Sequence, residues 1–188
     1  VDGKGIVMRP EALRQATRKA AAARRGVFRT RLASGEKPAR KRMATLACVY
    51  DAEPAARRPH DVIAPPGGRR GDRRLRPGPT AQGKWLDASV ADDPAEVIAR
   101  AFDQAQARDP AHRRAWVVLV DGARHQIELI TTEAARRGIR ISIVVDFVHV
   151  LEYLWAAAWS FHDGGDPAAE DWVAVQALKR VKDPAFEV

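Results

Sequence analysis

Three aspartates stand where apolar or turn-prone segments break off, and together they could hold a metal ion. Asp121 ends the run Trp116 to Val120 and precedes Gly122; Asp146 ends the run Ile141 to Val145; Asp2 lies in the similar context VDGKG, with only Val1 of a preceding strand in view. The carboxyl ends of strands are where open α/β sheets present reacting groups. Taken singly, each aspartate reads more simply as a turn or cap residue, and Asp146 in particular could cap a helix beginning at Phe147. Taken together at one sheet edge, they would repel one another unless a cation neutralised them. Carboxylate oxygens suit Mg²⁺ or Mn²⁺, and two such ions can clamp both oxygens of an in-line phosphodiester displacement. His149, three residues beyond Asp146, reads either as a hydrogen-bonded core histidine or as a partner of that acid.

Other patterns exclude more than they suggest. The segment GPTAQGK at 78–84 fits the spacing of a phosphate-binding loop, but Trp85 stands where a Ser or Thr would meet Mg²⁺ and no strand precedes it. His60, His112, His125, His149 and His162 show no zinc spacing, and a single cysteine, Cys48, excludes an internal disulfide and a cysteine-based zinc site. No small-molecule cofactor is expected.

Charge is segregated along the 188 residues. The chain carries 32 Lys/Arg against 24 Asp/Glu, a net charge of +8; residues 1–90 hold 21 basic against 8 acidic side chains, and residues 91–188 hold 11 against 16. The first half is therefore the side that would meet a polyanion. Its clusters Arg40, Lys41, Arg42 and Arg69, Arg70, Arg73, Arg74, Arg76 are the candidate phosphate contacts, with solvated loop charge as the plain alternative. Aromatic residues are absent from the basic loop, so contact with the nucleic-acid backbone is a better expectation than base stacking. All five tryptophans lie at or after position 85, which places most packing material in the second half.

These residues need elements to position them. Residues 10–25 read as a basic surface helix; 44–51 and 84–90 read as strands; and the Pro/Gly/Arg-rich stretch at about 53–83 reads as a mobile basic loop. Asp93 and Pro94 open a helix with Val97, Ile98, Ala101 and Phe102 on one face. A strand at 116–120, a helix closed by Gly138 and a strand at 141–145 form a parallel crossover that puts Asp121 and Asp146 on the same side of the sheet. The segment FVHVLEYLWAAAWSF at 147–161 is apolar almost all round, so it predicts a helix buried on several sides. Asp166, Pro167 and Glu170 open a last helix. No apolar run approaches the roughly 20 residues of a membrane helix, and no membrane partner is expected. No leader pattern is visible. The opening on Val1 and the ending soon after a helix lead us to expect neighbouring sequence on both sides.

The strings VDGKGIVMRPEALR at 1–14, GEKPARKRMATLACVYD at 35–51, DVIAPPGGRRG at 61–71, WVVLVDGARHQ at 116–126 and DFVHVLEYLW at 146–155 resemble insertion-sequence transposases of the ISKra group, over essentially the whole chain. The resemblance implies an α/β fold with a ribonuclease-H-like mixed sheet flanked by helices over 1–163, and the start of an all-α insertion over 164–188. It implies a DDE-type core in which two Asp and a distant Glu hold two Mg²⁺ or Mn²⁺ ions. Asp2 resembles the first acid and Asp121 the second, and Asp146-x-x-His149 resembles a signature that follows the second acid. Its partners would be DNA, at element ends and target, and further copies of itself, in the bacterial cytoplasm at the nucleoid. The third acid departs from the pattern: Glu152, Glu170 and Glu187 are poorly placed for it. A catalytically inactive fragment that only binds DNA or transposase is the rival expectation, and an unrelated α/β phosphatase or nucleotide enzyme a weaker one.

Overall fold

The computed structural model describes residues 1–22, 41–67 and 76–182. Three strands, β1 (Asp2–Val7), β2 (Lys41–Asp51) and β3 (Gln82–Ser89), form an antiparallel sheet in the order β1-β2-β3, and β4 (Val117–Val120) pairs in parallel with β5 (Ser142–Val145). The two sheets are not paired with each other; the Val1 terminal ammonium, just before β1, donates to the Leu119 carbonyl of β4 at 2.9 Å. The result is a mixed α/β architecture.

Asp2 opens β1 rather than closing a strand, which corrects the sequence expectation. Asp-Gly favours turns locally, but β2 imposes an extended ladder from Asp2 opposite Leu46 to Val7 opposite Lys41. A Cβ at Gly3 would lie 3.3 Å from the Gln126 side chain and 3.4 Å from Met43, so the ends of these two flexible side chains would have to give by a few tenths of an ångström.

Past β3, Asp93 caps α3 (Pro94–Arg108) by accepting from Ala95 N at 2.9 Å. Its Val97 and Ala101 pack on Ala47 of β2, while Ile98 and Phe102 pack with Val120, Ile130 and Ala134. Ile98, Ile130, Val97 and Val120 are wholly buried, and each contributes roughly 1.5–3 kcal/mol of apolar burial. Helix α4 (Arg124–Arg137) ends at Gly138, whose left-handed φ of 66° is what the sequence reading required of it. Arg137 ties that end to α3, bonding Asp103 at 2.7 Å, Glu133 at 2.6 Å and the Ala99 carbonyl at 3.1 Å. Asp109 organises the turn before β4: it accepts from Arg113 N, Arg114 N and the Trp116 indole at 2.9–3.0 Å.

Elsewhere the structure departs from expectation. The basic helix is shorter, a 3-10 turn at Pro10–Ala12 followed by α1 (Gln15–Ala22), with residues 23–25 outside the described residues. Of the stretch expected to be a mobile loop, the described residues form the short α2 (Pro59–Val62) and the start of β3, and most of the others have neither helix nor strand. Buried Asp61 in α2 accepts from the backbone and guanidinium of Arg58 and, more weakly, from Arg76 N, and Gly67 N donates to Asp171 at 3.0 Å. Helix α5 (Phe147–Ala158) is not buried on several sides: Val148 and Tyr153 are 60% and 75% exposed. Its apolar residues exceed what one partner can cover. That partner is α6 (Pro167–Lys182), which meets Leu151, Leu154, Trp155 and Ala158 through Ala169, Trp172 and Val173. No described helix is long and apolar enough to cross a membrane.

Candidate metal centre

Each residue of the candidate centre is held by a different part of the fold. The β1–β2 ladder sets Asp2; the end of β4 sets Asp121; the first turn of α5, capped by Asp146, sets His149. Parallel pairing of β4 with β5 brings the two strand ends, and so Asp121 and Asp146, to one side, as the sequence reading required; His149 follows on α5, and the Val1–Leu119 bond brings the start of β1 beside them. One ligand atom from each of Asp2, Asp121 and His149 lies within 4.8 Å of the others.

Both aspartates are partly committed to the backbone. Asp2 Oδ1 accepts from Gly3 N at 2.7 Å, and Asp121 Oδ1 accepts from Ala123 N at 2.9 Å. Gln126, on the first turn of α4, stands between Gly3 and Asp121: with its amide turned to match both groups, its oxygen accepts from Gly3 N and its nitrogen donates to Asp121 Oδ1, both at 3.2 Å. These contacts fix position and leave carboxylate oxygens for a ligand. Among the described residues neither aspartate forms an ion pair with Lys or Arg. Two hard oxygens and an imidazole nitrogen suit a divalent ion, and the positive charge beside both aspartates is the Val1 ammonium, which interacts with each of them.

His149 Nδ1 lies 3.1 Å from Glu152 Oε2. That hydrogen bond, with the nearby charges of Glu152, Asp146 and Asp121, holds the imidazole pKa above its ordinary value against the opposing effect of burial. Beside the cluster is an open groove of about 570 Å³, polar at Asp121 and His149 and apolar at Val145, Val150 and Tyr153.

Asp146 stands at the neighbouring strand end, its N–H on the Val120 carbonyl at 2.7 Å and its charge near enough to act on His149. It is the N-cap of α5, accepting from Val148 N at 2.9 Å, and it is not in the group of three. The bland reading of Asp146 accounts for this placement without a ligand. Among the described residues no further Asp or Glu joins the group. Of the candidate DNA contacts, Arg40, Arg69, Arg70, Arg73 and Arg74 lie outside the described residues. Lys41 and Arg42 lie in β2 opposite Val7 and Ile6, at the far end of β1 from Asp2, and Arg76 is exposed where its backbone meets Asp61.

Gln126 and the role of Glu152 escaped the sequence reading. A glutamine five residues after an aspartate carries no motif, and its importance arises only when β1, distant in sequence, docks beside α4. Comparison with family models, curated proteins and solved structures gives no match for this chain.

Proposed function

We propose that the chain is the catalytic core of a DDE-type DNA transposase with a ribonuclease-H-like sheet, which cleaves and transfers DNA strands at the ends of an insertion element. The observation that carries this reading is the meeting of Asp2, Asp121 and His149, three residues remote in sequence, beside an open groove. The α/β composition, with one antiparallel and one parallel sheet, is compatible with the mixed sheet that the resemblance implies, and α6 would begin the helical insertion.

Asp2 and Asp121 would hold Mg²⁺ or Mn²⁺, two ions in the working enzyme, with His149 at the same place. Bound there, the ions would lower the pKa of water or of a 3′-hydroxyl and neutralise charge on the phosphodiester. The chain's own part is positional. Gly3 N, Ala123 N and Gln126 fix the carboxylates, so that little reorganisation is needed when charge develops. Val145 and Val150 keep one wall of the groove apolar. The arginines and lysine at 40–42 and 69–76 would hold DNA phosphates on a multimeric assembly, with an affinity that falls steeply as salt rises.

Supercoiled DNA carrying the element's ends is expected to be nicked by the chain in Mn²⁺, and Asp121→Asn to lower that rate by about 100-fold or more. Equal nicking by the variant overturns the assignment. A second reading, DNA binding without catalysis, is favoured by one observation: the described cluster contains only two carboxylates. It predicts salt-sensitive retention of DNA with no nicking by the unaltered chain.

A further inference from the structure

Glu152 sits one helical turn beyond His149 on α5, with Oε2 at 3.1 Å from Nδ1. An ionised carboxylate only accepts hydrogen bonds, so this contact requires Nδ1 to carry the proton. In the neutral ring the other nitrogen, Nε2, then keeps its lone pair. The same ring already contributes a nitrogen to the group within 4.8 Å that contains Asp2 and Asp121. Metal-binding histidines are commonly oriented in this manner by a carboxylate on the second ring nitrogen.

We propose that Glu152 is the positioning residue for His149: it fixes the tautomer in which Nε2 is the free donor, and so makes the imidazole the nitrogen ligand of an ion shared with Asp2 and Asp121. The inference rests on the metal reading given above and deepens it by naming the third ligand and its support. It also assigns Glu152 a place outside the metal's own ligands, whereas a missing third acid would invite placing it among them. The charges of Asp146 and Asp121 also act on His149, but its hydrogen bond among the described residues is to Glu152. An imidazole nitrogen beside two carboxylates shifts preference from Mg²⁺ towards Mn²⁺.

The test uses the full chain and Mn²⁺ alone as the probe, read by electron spin resonance. Binding with a nitrogen hyperfine signal is expected, and His149→Ala should remove that signal. Glu152→Ala should weaken Mn²⁺ binding by about tenfold, Glu152→Gln, which keeps an acceptor oxygen, should restore most of it, and Glu152→Ala should add nothing once His149 is alanine. Nitrogen-15 spectra of the metal-free chain should show His149 with its proton on Nδ1. A proton on Nε2, a Mn²⁺ signal without nitrogen coupling, or an equal Glu152→Ala effect with and without His149 each overturns the proposal while leaving an Asp2–Asp121 metal site standing. Mn²⁺ binding unchanged by both Asp2→Asn and Asp121→Asn, or absent altogether, overturns the underlying metal reading as well.

Discussion

Asp121 and Asp146 follow neighbouring parallel strands, and each gives one oxygen to the backbone N–H two residues on, at 2.9 Å, yet only Asp121 joins the cluster. The difference lies in the spacer. Asp146 is itself the N-cap of α5, so its carboxylate is drawn onto the first turn. After Asp121 the chain passes through Gly122, at φ 93°, and Ala123 before α4 begins, which leaves the acid short of the helix and free to face Asp2. The helices that follow differ as well. Helix α4 sinks Ile130 and Ala134 into the core, whereas α5 leaves Val148 and Tyr153 in the open. The same residue type at the same topological point is thus a cap in one unit and a candidate ligand in the other.

The comparison can be broken at several points. Ile130→Ala should cost about 3 kcal/mol of stability, since the wholly buried site cannot collapse around the cavity. Val148→Ala on exposed α5 should change it by less than about 0.5 kcal/mol; equal losses in chemical denaturation would mean that the two helices are anchored alike. Gly122→Ala should cost about 1–2 kcal/mol, because its positive φ disfavours a side chain while the added Cβ would meet Val145 only at an ordinary 3.5 Å. It should also weaken Mn²⁺ binding, as the spacer is what holds Asp121 off the helix; unaltered binding would remove that explanation. Asp146→Ala should lower the thermal midpoint by the equivalent of about 1 kcal/mol, and Asp146→Asn should recover it, because asparagine caps equally well. Failure of asparagine to recover stability would point to a role for the charge itself.

Acid supplies the gentlest contrast. Asp109 is held at a pKa of about 2 by the Arg113 N–H, then the Trp116 indole and the Arg114 N–H, and Glu133 at about 2, chiefly by its hydrogen bond with Arg136. Both folded values lie below the ordinary 3.8 and 4.5, so the stabilisation is fully present above those values and is lost as pH falls towards 2. Asp109→Asn and Glu133→Gln should each flatten the fall in thermal midpoint between pH 5 and 2. An unchanged slope in both variants would show that other carboxylates govern acid unfolding.

The α3-to-β5 region was legible in the sequence because its signals are local. Asp93 and Pro94 start a helix, Gly138 ends one, and two short apolar runs mark the strands between. The β1 strand was not legible, since DGKG reads as a turn until β2 supplies a partner whose register no local pattern encodes. The fit of Gly3 against Gln126 has the same origin. Asp61 was hidden for another reason: composition measures how much apolar surface a segment can bury, and gives no weight to one acid that collects several donors. For α5 the apolar count was read correctly, but what a helix face meets is decided by its neighbours. Within the candidate centre, the sequence grouped Asp2, Asp121 and Asp146 at one edge with His149 beside Asp146, while the grouping of Asp2, Asp121 and His149 depends on where each helix begins.

The pairing of Asp2 with Leu46 has a consequence for residues far from the groove. Sliding β1 by a single position would turn its first acid to the opposite side of the sheet. Strand alignment therefore sets where the Asp2 carboxylate lies, and substitutions that shift the β1–β2 register should change Mn²⁺ binding at the proposed centre without touching the ion.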